Sequence, residues 1–201
     1  MAGYTLLHDL TSQLQKNLFT ALDTSADVDF AVTDATTDIL AEGPKEAQTK
    51  NGTVSLYLYH MDINSHLRNQ PMVSVGTEAL VKPPLPFRVS YLITPVTDKH
   101  LTNQLILGRL IQFLYDNPIL TSSVGLPLDD DKGGTTELRI HPQNLSVEAL
   151  NQLWTAMSEP YRLSYAFSVD IVTIDSGKAP VAANRVGSSS QQGALSGGKI
   201  Q

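Results

Sequence analysis

An α+β domain is the fold class this sequence predicts, with a mostly antiparallel or mixed sheet of about five strands packed with three helices. Three observations lead there. Segments with apolar residues every three or four positions are interspersed with segments that alternate at period two. Their order lacks the regular β-α repeat of a doubly wound sheet. The chain's 201 residues, 41% of them hydrophobic, suffice to bury about 70% of the unfolded surface around one core. No Pro/Gly-rich linker splits residues 1–175, which read as one domain. Residues 176–201 are rich in Gly and Ser, contain Lys178, Arg185 and Lys199, and hold no acid, the composition of a flexible cationic tail.

The elements follow in order. Leu6, Leu7, Leu10, Leu14, Leu18 and Leu22 share one face of a helix over residues 4–22. Val28, Phe30 and Val32 alternate with polar or small residues and predict a short strand, followed by a polar loop through Lys50-Asn51-Gly52. Residues 54–63 carry large apolar groups on both faces, the pattern of a central strand. Residues 64–87 contain five Pro or Gly and no sustained period, so they read as a long binding or assembly loop. Residues 88–96 form a third strand through Val89, Tyr91 and Ile93. Thr97 or Asp98 then caps a helix with Leu101, Leu105, Ile111 and Leu114, which Asn117-Pro118 ends. Residues 126–142 read as a hairpin with an acidic turn and with Leu138 and Ile140 in its second strand. Ser146 caps a last helix bearing Glu148, Leu150, Leu153, Trp154 and Met157, with Trp154 in the core. A long, half-exposed strand starts at Tyr161.

Composition narrows the function. Outside the tail, 11 Lys and Arg face 20 Asp and Glu, a formal charge of -9 that disfavours a phosphate-binding surface and hence nucleic acid. With no cysteine there is no disulfide, thiolate metal site or cysteine nucleophile. The amino terminus lacks a signal-peptide pattern and no apolar run approaches the roughly 20 residues of a membrane span, so the expectation is a soluble protein, cytoplasmic at synthesis. GxSxG, GxxxxGK[ST], GxGxxG and HExxH motifs are missing. His60 and Asp62 share a strand face, but two ligands fall short of a catalytic metal site. Asp129, Asp130 and Asp131 lack the spacing of a calcium loop, and Asp27 and Asp29 have no neighbour that would make one of them a general acid. The sequence therefore predicts no catalytic, cofactor-binding or metal-ligating residue. Arg109, inside the most apolar helix, either reaches solvent or forms an ion pair across a subunit boundary.

Seven segments in register resemble the cap, or tail-terminator, family of phage-tail-like extracellular contractile injection systems. They are His66-Leu67-Arg68-Asn69-Gln70, Pro83-Pro84-Leu85-Pro86, Tyr91-Leu92-Ile93-Thr94-Pro95, Leu107-Gly108-Arg109, Asp116-Asn117-Pro118-Ile119-Leu120, Leu150 with Leu153-Trp154, and Pro160-Tyr161-Arg162-Leu163-Ser164. The resemblance implies a tail-terminator-like fold and a structural protein with no enzymatic activity and no cofactor. It implies a homohexameric ring on the distal end of the inner tube, which stops tube and sheath polymerisation and anchors the last sheath layer. Its partners would be copies of itself, the inner tube protein and the sheath protein, with neither nucleic acid nor membrane. Assembly would take place in the cytoplasm, as part of a particle open to release. Interface candidates on these segments are His66, Leu67, Arg68, Asn69, Gln70, Pro84, Arg109, Asn117 and Arg162. The final strand, were it at a sheet edge, would add a strand-pairing contact to the sheath. A non-ring adaptor that uses the long loop and an edge strand is the alternative.

Overall fold

The computed structural model describes residues 4–63, 71–75, 79–120, 138–174 and 176–182. The first helix, α1 (Leu6–Asp23), buries Leu6, Leu10, Leu14, Leu18 and Leu22, the predicted stripe. Gln13 and Asn17 are buried on the same helix, and the Gln13 Nε2 donates to Asn17 Oδ1 at 3.1 Å. The strand expected around residues 28–32 does not form. Asp29 Oδ1 accepts a hydrogen bond from the Ala31 N–H at 2.8 Å, and Ala31 takes φ 53°, which turns the chain and breaks the alternation. Phe30 and Val32 still pack on the core, so their apolar character is used without a ladder.

In place of the polar loop stand α2 (Ala35–Asp38), capped by Asp34, the two-residue β1 (Ile39–Leu40) and α3 (Pro44–Thr49), which starts on a proline. Next come β2 (Val54–Ile63), β3 (Val73–Val75), β4 (Ala79–Val81) and β5 (Leu85–Pro95). The stretch read as an unstructured loop thus holds two three-residue strands and the start of a third, runs too short to display a period in sequence. Then follow α4 (His100–Asp116), β6 (Ile119–Leu120), β7 (Leu138–Gln143), α5 (Val147–Ala156), β8 (Tyr165–Ile174) and β9 (Val181–Ala182). The cap of α4 is Lys99, with no side-chain hydrogen bond; Thr97 instead pairs with Asn103, whose Nδ2 donates to the Thr97 carbonyl at 2.9 Å. Ser146 caps α5 as predicted, accepting from the Ala149 N–H at 3.1 Å.

Six strands make one mixed sheet in the order β1-β2-β5-β8-β7-β6, antiparallel except for the β1-β2 pair. A second sheet, β3-β4-β9, pairs Val181 and Ala182 with β4, although composition places those two residues in the tail. The rest of that expected tail, 183–201, lies outside the described residues, as does the acidic turn between β6 and β7. The class is the predicted α+β, with six strands rather than about five in the main sheet and two extra short helices.

Two corrections concern position. β2 has β5 on one side and only the two-residue β1 on the other, so most of its outer edge has no strand partner among the described residues. β8, expected to be half exposed and a candidate edge, starts at Tyr165 and lies inside the sheet between β5 and β7. One face of the sheet packs Val89, Tyr91, Ile93, Phe167 and Val169 against α1 and α4, with the Tyr91 and Phe167 rings stacked at 5.6 Å. On the other face Trp154 of α5 packs on Leu92 and Ala166. The small Ala166 and buried Ser168 that read as a solvent face are what leave room for α5.

Candidate interaction surfaces

Tyr91 shows how firmly the inner face is sealed. Its hydroxyl lies 2.9 Å from Thr11 Oγ1 of α1, and burial pushes its pKa up to about 12. The chain's surfaces, by contrast, are laid out where the sheet and helices outrun one another.

On the α5 side, beyond the reach of that helix, charged residues cross four strands. Arg88 of β5 grips Asp170 of β8 with two hydrogen bonds, Nε to Oδ1 at 2.5 Å and Nη2 to Oδ2 at 3.0 Å, and this carboxylate raises the guanidinium pKa. His141 of β7 stands 3.5 Å from the same carboxylate, and His60 Nε2 of β2 is 2.8 Å from Asp62 Oδ1. Asp62, Arg88 and Asp170 alternate in sign over β2, β5 and β8, which ties these three strands together across their exposed part. Among the described residues no group of three or more His, Asp or Glu is placed to hold a metal ion.

The predicted interface residues occupy separate places. His66, Leu67, Arg68, Asn69 and Gln70 lie outside the described residues. Pro84 is exposed between β4 and β5. Arg109 is half-buried and works within the chain: Nε donates to the Ala21 carbonyl near the end of α1 at 2.9 Å, and Nη1 to Gln112 Oε1 at 3.2 Å. A cation there also meets the negative end of the α1 dipole. Asn117 closes α4, its Nδ2 donating to the Phe113 carbonyl at 2.9 Å. Arg162 lines a cleft of about 470 Å³ with Gln48, Asp98, His100, Tyr161 and Leu163. Its Nη2 donates to Gln48 Oε1 at 2.6 Å, and Gln48 Nε2 in turn donates to Asp98 Oδ1 at 3.3 Å. The cleft sits at the amino-terminal end of α4 and Asn117 at the other end, so the structure does not gather these residues into one site.

Two surfaces escaped the sequence reading. The inner stripe of α4 is Ile106, Leu107, Leu110 and Leu114, whereas Leu101 and Leu105, expected inside, are 75% and 53% exposed. With Gly108, Gln112 and the 83% exposed Tyr115 they form a second, outward stripe at 4-3-4-3 spacing, a signal present in the sequence but masked by the inner one. Beyond α1 and α4 the apolar face of the sheet also continues uncovered. Met61↔Val89 and Ile63↔Phe87 pair across β2 and β5, yet Met61, Ile63 and Leu85 are exposed, as are Met72, Val73 and Val181 on the small sheet beside them. A separate groove of about 470 Å³ runs between α1 and the open edge of β2, lined by Leu7, Thr11, Leu56 and Leu58.

The Pvc16 N-terminal domain family matches residues 8–188. The chain belongs to that family. No curated protein matches the sequence. Among solved structures, the fold of this family member is similar to that of the PVC sheath/tube terminator of an extracellular contractile injection system in the extended state. The TM-score is 0.61 at 17% identity, over 98% of this chain and 67% of that one. It is also similar to the anti-feeding prophage cap, a tube-terminating cap, with a TM-score of 0.55 at 18% identity over 89% of this chain and 58% of that one. The fold is therefore that of tail terminators, and the chain spans about two thirds or less of the length of either relative. Among the described residues no helix is long and apolar enough to cross a membrane.

Proposed function

We propose that this chain is the terminator of a contractile injection system: a homohexameric ring on the distal end of the inner tube that stops tube and sheath polymerisation and anchors the last sheath layer. The observation that carries this reading is family membership over residues 8–188, together with the likeness in fold to two terminators. It is a structural role with no substrate to turn over, and assembly takes place in the cytoplasm before the particle is complete. Residues His66, Leu67, Arg68, Asn69 and Gln70, with Pro84, Asn117 and Arg162, remain in this reading as contacts to tube, sheath or neighbouring subunit.

The sheath contact has a different seat from the one the sequence suggested. β8 lies between β5 and β7, and β7 pairs with it from Ala166 to Asp170, so among the described residues its free edge is limited to residues 171–174. The outer edge of β2 beyond Ser55 has no strand partner among the described residues and a groove beside it lined by both apolar and polar side chains, the combination that accepts an added strand. The deciding experiment is negative-stain microscopy of particles from cells that lack only this gene. Tubes and sheaths of uncontrolled length, or loss of extended sheathed particles, are expected; particles of normal number and length would overturn the reading.

A further inference from the structure

We propose that the uncovered sheet end and arm of one copy, around Ile63, Leu85 and Val73, seats on the outward face of α4 of the next copy, and that this head-to-tail contact closes the ring. The proposal rests on the ring assembly proposed above and names the two surfaces that build it.

Four observations point to this pairing. The first is that the two surfaces are unlike and lie on different elements: a sheet end with a short three-stranded arm, and a helix stripe. A contact between unlike patches repeats head to tail and closes into a ring when the angle allows, whereas a patch that pairs with itself stops at a dimer. Both surfaces expose large apolar side chains, Leu101, Leu105 and Tyr115 on the helix and Met61, Ile63, Leu85 and Val73 on the sheet end and arm, which a partner would cover.

The second is Gly108. It sits in the middle of a 17-residue helix and a Cβ added there would meet nothing within 4 Å. Glycine weakens a helix, and among the described residues nothing requires it at this position. A partner packed closely against the helix does. The third is spacing: Leu101, Leu105, Gly108, Gln112 and Tyr115 recur every 3.5 residues on average, which forms a straight seam about 21 Å long at 1.5 Å per residue.

The fourth is charge, which orients the two surfaces. Lys82 and Lys178 flank the arm and are exposed, and neither has an ion-pair partner among the described residues. The last turn of α4 carries Asp116 and no basic residue, so it presents a carboxylate together with the negative end of the helix dipole. The carboxyl end of the helix stripe attracts the lysines of the arm, and Lys99 before Leu101 marks the opposite end, which orients arm on helix with Lys82 and Lys178 toward Asp116.

The chain contains no cysteine, so introduced thiols report on single positions. Leu105→Cys and Val73→Cys alter exposed side chains and leave the core untouched. The two variants are co-expressed in the producing cells, particles are purified and treated with a short bismaleimide, and covalent dimers are read on a denaturing gel. Tyr115→Cys with Met72→Cys, both at exposed positions, serves as a second pair, so that one unfavourable thiol geometry does not decide the result. Dimers are expected when both variants of a pair are present and not with either alone. Dimers from Leu105→Cys alone would show α4 pairing with itself and overturn the proposal. Particles that hold the chain but give no dimer with either pair would overturn it too. Particles that never contain the unsubstituted parent chain would overturn the terminator reading itself, and the ring contact with it.

Discussion

The inner and outer stripes of α4 both carry leucines, but they meet different surroundings. Leu110 is fully buried against α1 and the sheet, while Leu105, little more than one turn away, is more than half exposed. The difference teaches that apolar content alone does not mark a core position. One stripe holds the fold together, and the other is free to bind something outside it. The sheet repeats the lesson: Val89 and Tyr91 are sealed under helices, whereas Met61 and Leu85 continue the same face into solvent.

The contrast can be broken, starting with the largest effect. Leu110→Ala is expected to cost about 2–5 kcal/mol of folding stability in denaturant melts, through lost burial and the cavity left behind. Leu105→Ala should change stability by no more than about 0.5 kcal/mol, and yet lower incorporation of the chain into particles. An equal loss of stability for both would erase the distinction between the two faces.

The seal over the inner face is read at high pH. The Tyr91 hydroxyl has a folded pKa of about 12 against an ordinary 10, so its neutral form is the one the fold favours. Stability from this group is complete below pH 10 and is lost as pH rises from 10 through 12, a total of about 3 kcal/mol. Tyr91→Phe should flatten that part of the stability profile relative to the parent, and an unchanged slope would place the loss elsewhere.

Smaller effects sharpen the comparison. Ser146→Ala removes the cap of α5 and should cost about 1 kcal/mol, measured by thermal melting. Gly108→Ala should raise stability by about 0.5–1 kcal/mol, since the added methyl meets open space in the single chain. The same variant is expected to enter particles less well. A stabilised chain that still assembles normally would mean that nothing approaches the helix closely there.

Much of the fold was legible residue by residue. The leucines of α1, the Ser146 cap and the buried Trp154 follow from spacing and local chemistry that need no distant partner. The turn that replaces the predicted strand around Phe30 was not legible, because an aspartate side chain and one residue at positive φ override an alternation of only three apolar positions. The interface candidates were legible as a family pattern rather than as a place. Arg109 is bound to α1, Arg162 lines a cleft at one end of α4, and Asn117 closes the other end. The outward stripe of α4 was missed because two interleaved apolar stripes on one helix look like a single broad one.

By itself the sequence determined the buried stripe of α1, the start of α5 at Ser146, the α+β class and the resemblance to terminators. Periodicity and capping are local, set by bond geometry within a few residues. Only the tertiary structure decided that β8 lies between β5 and β7, that most of the outer edge of β2 has no strand partner among the described residues, and which stripe of α4 meets the core. Those outcomes depend on strand pairings and helix packing between residues far apart in the chain, and no local pattern specifies what will lie against a given face.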